Sequence, residues 1–133
     1  MNLNFESVKE EIENSPTVPL PDDSHQLMNK LLKFSTSDAI NTVEYASLIY
    51  DLISKLSANF SHVNNEQSQL ILTWVDKHWE EKDLGYVDLL VSILVNISPE
   101  LSKIFIEEKL NISSCDKCIE FLKDALSELD QFG

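Results

Sequence analysis

Leu84–Ile97 reads LGYVDLLVSILVNI, and its periodicity decides the fold. At 3.6 residues per turn, Leu84, Tyr86, Val87, Leu89, Leu90, Val91, Ile93, Leu94, Val95 and Ile97 cover most of a helix's circumference. Asp88, Ser92 and Asn96 fall every fourth residue and make one narrow polar stripe. A helix apolar on nearly every side has to be enclosed by other helices or by lipid. This one is too short for lipid, because a bilayer needs about 20 apolar residues and Asp88 would lie near the middle. It therefore predicts the central buried helix, residues 84–97, of an all-α protein. Full burial of one aliphatic side chain is worth about 1.5–3 kcal/mol, and no other stretch offers so many.

On the N-terminal side, Asn64 with Gln67 forms a capping box for a helix to about Lys82. Leu70, Ile71, Trp74, Val75 and His78 point one way along it, while Leu72 and Trp79 lie well off that face. Asn41 with Glu44 opens an earlier helix to about Ser57, whose apolar arc makes it the natural partner of the central one. Asp22, Asp23 and Ser24 are candidate caps for a helix to about Phe34, and Asn4–Asn14 makes a short amphipathic one with Phe5, Val8 and Ile12 on one face. Between these two, SPTVPLP at Ser15–Pro21 cannot be helical; Val18 and Leu20 are expected to pin it to the core.

On the C-terminal side, Ser98-Pro99-Glu100 combines a cap, Pro at the first helical position and an early acid. The helix that follows is expected to bury Leu101, Ile104 and Phe105. Glu108 falls on the same stripe, out of keeping with a core face. Ser113 or Ser114 is the expected cap of the last helix, with Leu122, Ala125, Leu126 and Leu129 inward and Phe132 folding back at the end. The whole chain, residues 1–133, reads as one domain of six or seven helices. Short connections make neighbours antiparallel, which suits a compact orthogonal bundle or a short HEAT-like array of hairpins.

Charge narrows the function. The formal net charge is −13 and arginine is absent. Nucleic acid and anionic membrane both need a cationic footprint, so neither is an expected partner. A cationic macromolecule is what such a field attracts. Acids occupy the first residues where a secretory signal needs cations and an apolar run, so a cytoplasmic location is expected, with no disulfide.

Catalytic and metal motifs are not evident. Cys115-Asp-Lys-Cys118 lacks the strand context of a redox CxxC and the further ligands that zinc requires. Both cysteines share a side with Leu122 and Leu126 and read as small core residues. His25, His62 and His78 stand apart in sequence. Adjacent acids such as Glu107 and Glu108 point about 100° apart on a helix, which does not suit a catalytic pair. Asp23-Ser24-His25 faintly resembles the serine site of acyl carrier proteins, but the usual Leu and the preceding Gly are missing. The expectation is a binding protein with no enzyme activity, cofactor or metal.

Glu80, Glu81 and Asp83 lie beside Trp79. In that feature, and in size, acidity and helix content, the chain is similar to the small acidic immunity proteins of bacteria. Those proteins neutralise nuclease toxins, including toxins of contact-dependent growth inhibition. The resemblance implies a basic toxin or nuclease domain as partner, bound so that its active-site cleft is occluded. Trp79 would be the anchor, flanked by Glu80, Glu81 and Asp83, with Glu107 and Glu108 as further partner-binding acids. The alternative is a helical adaptor that takes a peptide or helix in an apolar groove lined by Leu72 and Trp79.

Overall fold

A computed structural model describes residues 4–14, 21–58 and 61–132, the side chains of Pro21, Gln131 and Phe132 aside. The expectations for Val18, Leu20 and Phe132 lie outside the described residues. Among the described residues seven helices follow one another: α1 (Phe5–Asn14), α2 (Pro21–Leu32), α3 (Thr42–Ala58), α4 (Asn65–Lys77), α5 (Leu84–Leu94), α6 (Pro99–Ile112) and α7 (Asp116–Phe132). No strand occurs among the described residues, and no described helix is long and apolar enough to cross a membrane.

Alternate helices sort into two layers. In one, α2 packs on α4 and α4 on α6; in the other, α3 packs on α5 and α5 on α7. Contacts of α2 with α3 and of α6 with α7 join the layers, and α1 lies against α2 and α3. The helices make a compact all-α bundle in which α2 with α3 and α6 with α7 pack closely, whereas α4 and α5 do not. The middle of α5 is enclosed as its pattern requires: Val87, Leu90, Ile93 and Leu94 are fully buried. Its polar stripe stays outside, where Ser92 Oγ donates to the Asp88 carbonyl at 2.9 Å and the Asn96 amide to the Ser92 carbonyl at 2.8 Å.

Polar residues tie neighbouring helices together, Gln67 within one layer and Tyr45 between the two. Gln67 is buried and serves both chain and fold. Its backbone N–H donates to Asn64 Oδ1 at 2.8 Å while its side-chain oxygen accepts the Asn64 N–H at 3.1 Å, completing the expected box. The same side chain also reaches α2, donating to Asn29 Oδ1 at 2.9 Å and lying 3.2 Å from His25 Nδ1. Tyr45 donates its hydroxyl to the Leu31 carbonyl at 2.7 Å, and burial pushes its phenol well above the ordinary range.

Four expectations are corrected. The helix after Asn64 stops at Lys77, five residues short of Lys82. The Tyr86 hydroxyl takes the His78 carbonyl at 2.9 Å, the acceptor that a continuing helix would need. The central helix ends at Leu94, and Val95 and Asn96 form a turn before Pro99 while Ile97 stays buried. Ser24 is no cap: it sits in the fourth position of α2, fully buried. At α7 neither serine caps; the Cys115 sulfur accepts the Cys118 N–H at 3.3 Å instead.

The α6 core face differs as well. Ser102, Phe105, Ile106 and Lys109 are buried, and Ile104 is 59% exposed. Ser102 is admitted because its hydroxyl donates to the Leu94 carbonyl at 2.6 Å, and Lys109 because its stem lies inside while its ammonium reaches Asp76 at 2.8 Å. Glu108 thus shares a stripe with Ile104 and Ile112 on the outer face, and its presence there needs no core partner.

Candidate functional site

Residues 78–83 connect α4 to α5 and carry most of the expected binding residues. Asp83 sets where α5 begins: its carboxylate accepts the Gly85 N–H at 2.9 Å and the Tyr86 N–H at 3.3 Å. A carboxylate at a helix N-terminus also meets the positive end of the peptide dipoles. Glu80 is exposed and lies 3.9 Å from the exposed Lys82.

Trp79 turns toward α6 and is half-buried. Its ring meets Phe105 edge to face, with centroids 6.0 Å apart, and the Lys109 ammonium lies 5.7 Å from its centre. Its indole N–H donates to Glu81 Oε2 at 2.9 Å. Glu81 is half-buried, and its other oxygen accepts the Ser113 hydroxyl at 2.9 Å. One carboxylate thus ties the connector to itself and to the C-terminal end of α6. Its backbone carbonyl faces the Cys118 thiol at 3.9 Å, which burial pushes up to about 12.

His78 opens the connector. Its ring lies over Trp74 with centroids 4.9 Å apart. Its Nε2 is buried and has no hydrogen-bond partner among the described residues. Burial, chiefly, with Lys77 adding to it, holds the imidazole below the ordinary histidine range, and Asp38 opposes this. Beside it a cleft of about 400 Å³ runs between α3 and the connector, lined by Val43, His78, Trp79, Glu80, Asp83 and Tyr86 among others.

Glu107 and Glu108 are both exposed on α6. The connector meets this helix at Phe105 and Lys109 and, just beyond its end, at Ser113, so these acids stand on the helix that holds Trp79. The outer stripe also carries Ile104 and Ile112, 59% and 71% exposed. Lys109, Ser113 and these two isoleucines belong to the site and were not expected from sequence. The sequence pattern places Ile104 on the core face with Glu108 on its stripe; the structure turns both outward.

The charge balance around this surface is one-sided. Eight of the ten lysines are engaged with carboxylates of the chain itself. Glu100, Glu107 and Glu108 take part in no ion pair among the described residues. Among those residues, no three of His, Cys, Asp and Glu come together as metal ligands. The arrangement offers two exposed isoleucines, a clamped indole and carboxylates without ion-pair partners among the described residues. Compared with known proteins, the chain matches no protein family, no curated protein and no solved structure.

Proposed function

We propose that this chain is an immunity-type protein, acting in the bacterial cytoplasm, that binds a cationic toxin domain and occludes its cleft. The contact surface is the connector 78–83 together with the outer side of α6. The observation that carries the reading is the stripe Ile104, Glu108, Ile112. Two strongly exposed aliphatic side chains flank an acid without a cation of its own, on the helix against which Trp79 is packed. Exposed apolar groups of this kind mark interaction sites. A rim of uncompensated carboxylates selects a positive partner and speeds encounter by steering. A nuclease cleft is cationic because its substrate is a polyanion, so an acidic protein competes for it directly.

The experiment is capture from a lysate of the source cell, identification of the bound protein by mass, and measurement of its association rate against salt. The expected partner is a single basic domain with nuclease activity that this chain suppresses. Its on-rate falls steeply between low and physiological salt, and the triple variant Glu80→Lys, Glu107→Lys, Glu108→Lys abolishes capture. An acidic partner, or a rate indifferent to salt, overturns the proposal.

A second reading rests on the same isoleucines: an adaptor that receives an amphipathic helix through apolar contact. It differs in prediction. There Ile104→Asp is the damaging change, and the charge-reversal triple is tolerated.

A further inference from the structure

Cys115 and Cys118 stand one turn apart at the start of α7. The Cys115 sulfur occupies the cap position, and its carbonyl accepts the Ile119 N–H at 2.9 Å. The two thiols differ in access. Cys115 is half-buried, whereas Cys118 is fully buried behind it. The Cys118 sulfur lies 3.9 Å from the Glu81 carbonyl, and the Cys118 backbone N–H donates to the Cys115 sulfur at 3.3 Å. Helix rise and radius put residues three apart at a Cα separation of about 5 Å, inside the window of about 4.4–6.8 Å that a disulfide requires. One thiol is therefore partly accessible at the edge of the core, with a second, fully buried thiol one turn along the helix.

We propose that Cys115 and Cys118 form a dithiol–disulfide site, in which Cys115 reacts with a small-molecule disulfide such as oxidised glutathione and Cys118 resolves the adduct from within. Cys115 gives up its proton to water and attacks one sulfur of the small disulfide. That S–S bond breaks, and the first glutathione leaves as a thiolate that takes a proton from water. The product is a mixed disulfide on Cys115. Cys118 then gives its proton to water and attacks the Cys115 sulfur, the mixed disulfide breaks, and the second glutathione leaves as a thiolate that takes a proton from water. Two protein thiols are oxidised and one small disulfide is reduced to two thiols, a balanced two-electron exchange. The Cys118 N–H aimed at the Cys115 sulfur is a donor for the charge that sulfur carries as it attacks. Access decides the order, because only the outer thiol meets a molecule the size of glutathione.

The test equilibrates the full chain in glutathione buffers of increasing oxidised fraction, traps free thiols with an alkylating agent and weighs the intact protein. The wild type is expected to convert to a species lighter by two hydrogens that takes up no alkylating agent. Cys118→Ser is expected to stop at a stable glutathione adduct on Cys115. Cys115→Ser is expected to react at least tenfold more slowly than wild type. A wild type that accumulates the adduct without closing, or that joins into disulfide-linked dimers, overturns the proposal. So does a Cys115→Ser variant that reacts as fast as wild type. The wild-type titration is decisive even where a buried serine unfolds the variant.

Discussion

The indole N–H of Trp79 and the carboxylate of Glu81 are joined at 2.9 Å across only two residues, a bond that bends the connector back on itself. With Ser113 on its other oxygen, Glu81 is the fastening of the candidate site. Glu81→Ala is expected to leave the indole and the hydroxyl without this acceptor and to cost about 1–3 kcal/mol. Urea unfolding measures the loss, and tryptophan emission should shift to the red as Trp79 gains water. Glu81→Gln should recover part of both. An unchanged midpoint for the alanine variant would remove Glu81 from this role.

Gln67 holds two elements at once. Gln67→Ala takes away half of the α4 capping box and the bonds to His25 and Asn29 on α2. The expected cost is about 2 kcal/mol, against about 1 kcal/mol for Asn64→Ala, which loses the cap alone. Equal effects of the two variants would mean that the link between α2 and α4 contributes nothing.

Ser24 is fully buried, and its hydroxyl has no partner among the described residues. A buried hydroxyl without a hydrogen bond costs free energy. Ser24→Ala should therefore be neutral or stabilising by up to about 1 kcal/mol, read from the thermal midpoint. Burial also makes this serine unsuited to carry the prosthetic arm of a carrier protein. A clear loss of stability would reveal a bond to that oxygen.

The imidazole of His78 is held below its ordinary range, chiefly by burial. The unfolded chain therefore takes up a proton at a higher pH than the folded one. Its contribution is fully present above pH about 6.5 and is lost as pH falls toward the lower folded value. Unfolding followed from pH 7.5 down to 5.5 should find wild type losing more stability than His78→Phe, which keeps a ring over Trp74. Parallel profiles would refute the assignment.

The rotation of α6 is open to a direct comparison. Ile104 and Ile112 face outward, whereas Phe105 is buried against Trp79. Ile104→Asp and Ile112→Asp should each change stability by no more than about 0.5 kcal/mol, while Phe105→Ala should cost about 3–5 kcal/mol. Chemical unfolding of the three variants would decide which face is inside.

The dense apolar patterns of α3 and α5 were legible because they leave few orientations open. Leu90 and Ile49 are buried in almost any packing of such helices. The face of α6 was not legible, because Leu101, Ile104, Phe105 and Ile106 permit several faces. The choice was made by Ser102 finding the Leu94 carbonyl and Lys109 finding Asp76, partners that exist only after folding. The acids of the candidate site could be named from sequence, but their setting could not. His78 to Lys82 reads locally as continuing helix, and the residues that pull it out of line, Tyr86, Phe105 and Ser113, are supplied from outside that segment. Asp83 ahead of Leu84 and Gly85 is the one local signal of a helix start there, an acid placed to accept the first free N–H groups.

The helices α4 and α5 are not among the pairs that pack closely on each other, although they are joined by only six residues. The connector between them is therefore tailored from next door rather than by its own hairpin. Transplanting residues 65–97 into another scaffold would carry over the connector's acids and Trp79 but not their arrangement, because the mould stays behind in α6 and the segment that follows it. Conversely, a substitution in the last third of the chain can reshape the connector without altering one of its residues.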